Sequence, residues 1–442
     1  MNTPIYDFLI NYKNKNISRL HMPGHKGRET DDIFGRMFPY DITEIAGADS
    51  LFEANGIIAE SEKNATSLFR TKKTIYSTGG STLSIQTMLS LACKPKTTVI
   101  SARNAHKAFI NSCALLDLNV AWIFPKATEI SNAVSVNYTA DDVEELIKST
   151  ENVSAVYVTS PDYYGKIYDI KGIAEVCHKH DIPLLVDNAH GAYLAFLGED
   201  LHPIHLGADM CVDSAHKTMP TLTGAGYLHI NNEKYIADAK NNMVLFGSTS
   251  PSYLIMASLD RCNKYIEENM EEFKITAHRV ELLKFALSDA YTILETEPFK
   301  LTVETIPAGI YGTDFAQYLR EQGIECEYSD YGYVVLMFSV MTPKEDYDKI
   351  LKAMQRVKMP KLMLRAPGVP ADCIPKIAMT IREATFAENE ELSVEVAVGR
   401  ICGKTKIICP PGIPLIVPGE VIDENCVKIL NRYRISNINV VK

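Results

Sequence analysis

The first 230 residues alternate between short apolar runs and longer stretches that have the periodicity of an amphipathic helix. The apolar runs, each a predicted β-strand, cover residues 98–101, 120–124, 155–159, 183–186, 210–212 and 226–230. Helix-like stretches such as 140–149 and 173–180 separate some of these runs. Because strands that are nearly continuous in apolar residues are typical of a sheet covered by helices, the pattern predicts an α/β fold with a mostly parallel sheet and helices on both faces.

The pattern changes on either side of this region. Residues 1–50 contain Pro, Gly, His and Asp but little periodicity, and we expect an irregular N-terminal arm. Residues 51–250 are then the large domain. After residue 250 comes a long helical stretch around 259–287, and the strand and helix candidates that follow it are 300–305, 314–322, 333–338 and 344–356. These predict a smaller α/β C-terminal domain over residues 251–442.

Composition narrows the classes of function. A chain of 442 residues that is 46% hydrophobic and 23% charged is globular and is long enough for two or three domains. Its net charge of −10 argues against a nucleic acid or an anionic membrane surface as a partner. No apolar stretch approaches about 18 residues and no signal peptide is evident at the N-terminus, so we expect a cytoplasmic protein. The ten cysteines form no CxxC pair, which excludes a zinc ribbon or a dithiol redox motif.

Polar residues that could take part in chemistry follow three short apolar runs, at the edge where the ligand crevice of an α/β sheet lies. The first group is STGGSTLSIQ, residues 77–86, which follows the run at 74–76. Gly79 and Gly80 allow the backbone to approach an anion closely, while Ser81 and Thr82 can cap the following helix and donate to phosphate oxygens. The motif predicts a phosphate site, although an ordinary glycine turn with a serine cap remains an equal alternative.

The other two groups are PLLVDNAHGAY, residues 183–193, and DSAHKTMPTLTG, residues 213–224. Asp187 ends a predicted buried strand, where a carboxylate is costly unless it is paired or functional, and His190 follows it closely. A helix cap is the alternative for Asp187. Lys217 follows after a spacing that fits one more helix and one more strand. It is either a solvated cation or a working amine.

Pyridoxal 5′-phosphate requires all three kinds of group. Its aldehyde needs an amine, its pyridine nitrogen needs a carboxylate, and its phosphate needs helix-end amides and hydroxyls. Lys217, Asp187 and the Gly79–Thr82 turn offer these in the right order. The combination therefore predicts an enzyme that depends on pyridoxal phosphate.

The chain also resembles the ornithine/lysine/arginine decarboxylase family of fold type I pyridoxal-phosphate enzymes. The resemblance runs from about residue 18 to the C-terminus and is carried by HMPGHKG (21–27), ITE (42–44), SARNAHKAF (101–109), SPDYYG (160–165), DNAHGAY (187–193), DSAHKTMPTLTG (213–224) and CPPGIPLIVPGE (409–420). It implies that Lys217 carries the cofactor and that Asp187 pairs with the pyridine nitrogen. It further implies that Ser81, Ser214 and His216 reach the phosphate, and that Ala189 and His106 lie against opposite ring faces.

The catalytic residues are accordingly expected to be Lys217, His106 and Asp187, and the full cofactor-binding set is Gly79, Gly80, Ser81, Thr82, His106, Asp187, Ala189, His190, Ser214, His216 and Lys217. Three departures from the family pattern stand out. Gly80 replaces a hydroxyl residue, Asp162 replaces the more usual threonine, and His190 replaces a tryptophan found in some relatives. Because HMPGHKG begins at residue 21, there is no room before it for the N-terminal wing domain of the large members, so we expect a homodimer or small homo-oligomer.

The resemblance implies decarboxylation of a basic amino acid to its amine and CO2, in polyamine-type metabolism. We prefer arginine slightly over lysine and ornithine. Glu44 and Glu420 are candidates to bind the distal cation of the substrate, and Asp49 is a further one; a helix cap or a surface charge is the alternative for each. An aminotransferase, or a carbon–carbon or β-eliminating lyase of the same fold, is the alternative function. An aminotransferase would need a carboxylate clamp, for which Arg382 is the candidate.

Two other classes of site are disfavoured. GRICGKT at 399–405 lacks the first glycine that a nucleotide phosphate loop requires. His21 and His25 are interrupted by Pro23, and His178 and His180 have no evident acidic partner. We therefore expect no metal site.

Overall fold

A computed structural model describes residues 1–124, 135–357, 375–408 and 413–442, with backbone alone at 407, 408 and 432. The chain divides into two compact units. The first unit consists of Met1–Ala92 and Leu185–Phe273, and the second of Cys93–Leu184 and Lys274–Lys442. The domain bounds expected from the sequence remain a prediction.

The elements alternate along the chain as an α/β fold requires. Within the described ranges the α-helices are α1 (Pro4–Asn14), α2 (Ile33–Met37), α3 (Ile57–Leu68), α4 (Gly80–Ala92), α5 (Lys107–Leu116), α6 (Ala140–Ser149), α7 (Ile170–Lys179), α8 (Ala215–Thr218), α9 (Ala239–Met243), α10 (Tyr253–Glu268), α11 (Met270–Leu287), α12 (Gly312–Glu321), α13 (Lys344–Gln355), α14 (Ile381–Phe386) and α15 (Glu424–Arg432).

The strands in the same ranges are β1 (Lys73–Ser77), β2 (Thr98–Ala102), β3 (Asn119–Ile123), β4 (Val153–Thr159), β5 (Leu184–Asp187), β6 (Met210–Asp213), β7 (Gly226–Ile230), β8 (Thr292–Ile293), β9 (Lys300–Glu304), β10 (Tyr328–Ser329), β11 (Tyr333–Met337), β12 (Asn389–Ser393), β13 (Lys406–Ile408), β14 (Ile413–Ile416) and β15 (Asn437–Val441). Short 3-10 helices cover Phe38–Tyr40, Ala192–Phe196, Pro203–His205 and Glu233–Tyr235.

In the first unit the strand order is β1-β7-β6-β5. β7 is antiparallel to both β1 and β6, whereas β5 and β6 are parallel. The register places Ser77 opposite Gly226, Tyr227 opposite Asp213, and Val212 opposite Asp187. The carboxyl ends of β1, β6 and β5 therefore lie at one edge of the unit. The segments that follow these three strands are the ones that carry the predicted cofactor residues.

The second unit contains β4, β2 and β3 in that order, and their pairings are parallel. It also contains an antiparallel sheet of order β10-β11-β9-β8, whose core includes Leu301, Val303 and Val334 and residues of α11, α12 and α13. A third cluster joins the β12-β15 pair to α15 around Val394, Ile438 and Val440. The α/β class with a mostly parallel sheet and a smaller C-terminal domain is thus confirmed.

Most predicted elements are present within a few residues of their expected bounds, and three expectations were wrong. The expected helix over 259–287 is two helices, because α10 ends before Asn269 and α11 begins at Met270. The segment between β5 and β6 contains two 3-10 helices in place of an α-helix. The N-terminal arm is not irregular throughout, since it includes α1 and α2.

Helix α1 is held by a buried carboxylate from α10. Pro4 occupies the first helical turn, and Ile5, Leu9 and Tyr12 form the buried face of the helix. The N–H groups of Ile5 and Tyr6, which have no partner within the helix, both donate to Oδ2 of Asp260 at 3.0 Å. Stability of this arm therefore depends on a contact distant in sequence, which periodicity could not predict.

No helix in the part of the chain that the structure describes is long and apolar enough to cross a membrane.

Burial raises the pKa of Asp260 to about 6. A carboxyl group whose pKa is higher in the folded than in the unfolded protein contributes stability below about pH 4, and that contribution is lost as the pH rises through about 6. We therefore expect the free energy of unfolding of the wild type to fall relative to that of Asp260→Asn between about pH 4 and 6. Urea titrations at a series of pH values measure this difference, and a constant difference across that range would contradict the prediction.

Candidate functional site

The Gly-Ser turn connects β1 to α4 at the edge where β1, β6 and β5 end. Gly80 has φ +64°, a conformation that favours glycine, and its N–H donates to the carbonyl of Gly224 at 2.8 Å. Ser77 Oγ donates to the carbonyl of Gly80 at 2.7 Å. Since α4 begins at Gly80, the N–H groups of Ser81 and Thr82 belong to its first turn and have no partner within the helix. The turn therefore offers donors and a positive dipole end to an anion.

The turn after β6 carries Lys217 within the short helix α8. The Lys217 N–H donates to the carbonyl of Ser214 at 3.0 Å, and Ser214 is buried. The neighbouring His216 donates from Nδ1 to the carbonyl of Ala225 at 2.9 Å. Burial lowers the pKa of His216, so its ring is neutral at pH 7 with an unprotonated Nε2.

The ring of His216 lies beside the Gly-Ser turn. A Cβ added to Gly80 would be 3.9 Å from Cε1 of His216. Two of the three sequence motifs are therefore brought together within the first unit.

The turn after β5 supplies a carboxylate and a histidine. Asp187 is 2% exposed, and its Oδ1 accepts from the N–H of Ala189 at 3.1 Å. His190 is buried, and its Nε2 lies 2.9 Å from Nζ of Lys217. That distance allows a proton to pass between the histidine and the lysine amine. The turn after β5 thus contacts the turn after β6 at Nζ of Lys217.

His106 lies in the second unit, where it caps the N-terminus of α5. Its Nδ1 accepts from the N–H of Ala108 at 3.1 Å, which leaves the ring proton on Nε2 when the histidine is neutral. The ring is half-buried. The predicted stacking role of His106 remains a proposal.

Glu420, a predicted substrate residue, binds an arginine of the same unit. Arg103 donates to both oxygens of Glu420, at 2.7 and 3.2 Å, and its guanidinium lies 4.8 Å from the ring centroid of Trp122. The N–H of Val417 also donates to Glu420 at 2.8 Å. With 2% exposure, this carboxylate is already neutralised and hydrogen-bonded by the protein. The motif around it begins at 409–412, which lie outside the described residues.

The other two acidic candidates differ from Glu420. Asp49 accepts N–H groups of the segment that leads into α3, including those of Asn55, Gly56 and Ile58, so the helix-cap reading fits its contacts. Glu44 is exposed and makes no hydrogen bond or ion pair with another described residue.

Asp162, a departure from the family pattern, is held inside the second unit. Its carboxylate accepts from Ser135, from Tyr168 at 3.1 Å and from the N–H of Lys166 at 3.0 Å. Burial raises its pKa. Arg382, the candidate carboxylate clamp, donates to the carbonyls of Ala114 and Leu115 at 2.9 and 3.0 Å, near the end of α5.

Sequence reasoning missed a buried network behind the Lys217 and Asp187 turns. Asp213, His202 and His229 are fully buried, and both histidines approach Oδ2 of Asp213 at 3.0 Å. The available signal was Asp213 itself, a charged residue that directly follows an apolar strand. His202 could not be found in this way because its partner is eleven residues away in sequence.

The residues at this edge fit pyridoxal 5′-phosphate. Lys217 provides an amine, Asp187 provides a buried carboxylate, and the start of α4 provides N–H donors. The positive φ of Gly80, at the start of α4, would be strained in a residue with a Cβ. An α/β fold that presents these three groups at one edge of its sheet is typical of pyridoxal-phosphate enzymes.

Comparisons with known proteins identify the family within that class. Residues 3–287 match the Orn/Lys/Arg decarboxylase major domain, and residues 369–436 match the C-terminal domain of that family. The chain belongs to the Orn/Lys/Arg decarboxylase family. It is an amino-acid decarboxylase, a lyase, and its cofactor is pyridoxal phosphate. The resemblance seen in the sequence is therefore confirmed.

The similarity to individual relatives is lower but extends over nearly the whole chain. The uncharacterized protein YaaO of Bacillus subtilis is 30% identical over 98% of this chain and 94% of its own length. An arginine decarboxylase of Bacillus subtilis is 29% identical over 96% of this chain and 91% of its own length. The constitutive lysine decarboxylase structure from E. coli has a TM-score of 0.82 at 18% identity, covering 100% of this chain and 82% of that one. The last likeness shows the fold alone.

Proposed function

We propose that this enzyme decarboxylates a basic amino acid, with arginine preferred and lysine and ornithine next, and that the amine product enters polyamine-type metabolism in the cytoplasm. The single observation that carries the proposed site is the 2.9 Å contact between Lys217 Nζ and His190 Nε2 beside the Asp187 turn. Similarity to proteins named arginine decarboxylase supports the preference for arginine. Free thiols at the eight cysteines within the described ranges fit a reducing compartment.

The proposed chemistry assigns a task to each residue. Bound pyridoxal phosphate supplies an electron sink for the electron pair left when CO2 departs. Asp187 would hold the cofactor at its ring nitrogen and keep that nitrogen protonated, Lys217 would hold it at its aldehyde, and the α4 N-terminus would bind its phosphate. Lys217 then delivers a proton to the carbon that has lost CO2, and His190 returns a proton to Nζ of Lys217.

The position of Arg382 supports decarboxylation over transamination. A decarboxylase releases the α-carboxylate and does not need a strong clamp on it. Arg382, the candidate clamp, instead donates to two backbone carbonyls. Product analysis distinguishes the amine and CO2 of a decarboxylase from the keto acid that an aminotransferase, the alternative for this fold, would form.

Lys217 is the residue expected to hold the cofactor. We expect the wild type to bind pyridoxal phosphate, to retain it covalently after borohydride reduction, and to release CO2 from arginine, lysine or ornithine. Lys217→Ala should lose covalent retention and fall in kcat by at least about a thousandfold, because a nucleophile and proton donor is removed. Lys179→Ala, which alters another His-Lys pair and removes an exposed ion pair with Glu144, is the matched control and should behave as the wild type. Absence of bound cofactor would contradict the whole proposal, whereas formation of a keto acid without CO2 would contradict decarboxylation alone.

Glu44 is the proposed carboxylate for the distal cation of the substrate. Its exposure and its lack of a partner among the described residues support this choice, whereas the carboxylate of Glu420 is held by Arg103. If the enzyme used Glu420 as well, the substrate would have to compete with a bidentate arginine.

Substitution of each acid by glutamine distinguishes the roles of Glu44 and Glu420. Glu44→Gln should raise KM for the basic amino acid about tenfold with little change in kcat or thermal stability, because one charge-assisted contact is lost. Glu420→Gln should lower the melting temperature by several degrees, since it removes one charge of a buried ion pair. Steady-state kinetics and thermal melts on both variants provide the measurement, and an unchanged KM in Glu44→Gln would exclude Glu44 as the anchor.

We also propose that the enzyme is a homodimer. The N-terminal arm of the first unit exposes large apolar side chains, including Leu20 at 94%, Ile33 at 76% and Phe34 at 70%. Large apolar side chains that are left exposed, as in this arm, fit a surface that a second copy covers.

The corresponding prediction is a mass of twice the 49.2 kDa of one chain in light scattering, and a shift towards one chain in Phe34→Asp. A wild-type protein that remains a monomer at micromolar concentration would contradict the proposal.

A further inference from the structure

Asp213 is a charged group with no exposed surface, and it accepts from several side chains of the first unit. Oδ2 lies 3.0 Å from Nε2 of His202 and 3.0 Å from Nε2 of His229. Oδ1 accepts from Nδ2 of Asn188 at 2.7 Å. Burial alone would raise the pKa of Asp213, but the two histidines hold it well below its usual range. Asp213 is therefore an anion in the interior of the unit at neutral pH.

The histidines are hydrogen-bond donors to this anion. Nδ1 of His202 accepts from the N–H of Ile204 at 3.3 Å, so the proton of the neutral ring is on Nε2, facing Asp213. Burial lowers the pKa of His202, which keeps that ring neutral. Nδ1 of His229 contacts the hydroxyl of Thr74 at 2.9 Å, so both ring nitrogens of His229 are also engaged.

His202, Cys211 and Asp213 also lie close enough together to suggest a metal site. Nε2 of His202 carries the ring proton that faces Asp213, and burial raises the pKa of the Cys211 thiol, so both groups would have to release a proton to bind a metal ion. The contacts that the cluster makes are those of a hydrogen-bonded anion.

Asn188 connects this anion to the proposed cofactor residues. It lies directly after Asp187, its N–H donates to the carbonyl of Val212 at 3.0 Å, and its carbonyl accepts from the N–H of Gly191 at 2.8 Å. Its side chain is packed so closely that a Cβ on Gly191 would come within 2.0 Å of Oδ1. On the other side of the contact, Asp213 directly precedes Ser214, whose carbonyl accepts from the N–H of Lys217.

We propose that Asn188 is a positioning residue: through its hydrogen bond to Asp213 it fixes the Asp187 carboxylate relative to the Lys217 amine. This inference rests on the proposed cofactor roles of Asp187 and Lys217. Its side-chain amide donates to Asp213, and the role we assign to it is therefore to position other groups. Its effect is to hold two turns, which belong to neighbouring parallel strands, at one separation.

The effect should appear in the bound cofactor before any substrate is added. Its absorbance depends on the protonation of groups that Lys217 and Asp187 contact, so a change in their separation shifts the midpoint of its pH titration. We expect Asn188→Ala to shift that midpoint by about half a pH unit or more and to raise the cofactor dissociation constant about tenfold.

Asn263→Ala is the matched control. Asn263 is also fully buried in the first unit and accepts from Tyr227 and donates to Tyr76, at 2.8 and 2.7 Å. Its loss should lower the melting temperature while leaving the cofactor titration midpoint and dissociation constant as in the wild type. Equal shifts in both variants would assign Asn188 a purely structural role and overturn the proposal.

A second variant of Asn188 completes the test. Asn188→Ser keeps a polar side chain, but its hydroxyl is too short to reach Asp213, so it should show the same shift as Asn188→Ala. A wild-type titration in both Asn188 variants, or failure of both to fold, would overturn the proposal. A wild type that binds no cofactor would instead contradict the proposed function, so the two failures are distinguishable.

Discussion

The register of β1, β7, β6 and β5 is the constraint on which the candidate site depends. Because β7 is antiparallel to both its neighbours, it can bring the carboxyl ends of β1 and β6 to the same edge although these strands are far apart in sequence. The parallel pairing of β5 with β6 adds Asp187 to that edge. A slip of one residue would reverse the face to which each side chain of the slipped strand points. The Lys217 turn, the Asp187 turn and the Gly-Ser turn are therefore positioned by backbone hydrogen bonds before any side chain contributes.

Buried carboxylates then stabilise the segments that follow the strands. Asp260 binds the start of α1, Asp213 binds two histidines and Asn188, and Glu420 binds Arg103. Removing a charge from water is costly, and each of these groups recovers part of that cost only through a specific set of donors. Such groups contribute less to net stability than apolar packing does, but they allow few alternative arrangements of the turns they hold.

The donors around each carboxylate also distinguish acidic residues that look alike in the sequence. Glu420 and Asp49 both lie in family-like segments, yet their oxygens are occupied by an arginine or by backbone N–H groups. Asp162 is directed into the second unit, where Ser135 and Tyr168 donate to it. Glu44 differs because it is exposed. Charge and position in a motif made Glu420, Asp49 and Glu44 plausible anchors for the substrate cation, and only the arrangement of neighbouring donors distinguishes them.

The sequence by itself determined the class of fold and the cofactor, and it predicted the residues that would carry the chemistry, because strand periodicity and short motifs are local properties. It located Lys217, Asp187 and the turn at Gly80 at the ends of predicted strands. It could not determine that α1 is anchored by Asp260, that His190 contacts Lys217, or that Asn188 and His202 meet at Asp213. Those contacts join residues through side chains whose directions are set by packing and burial, so only the tertiary structure decides which donors a buried charge receives.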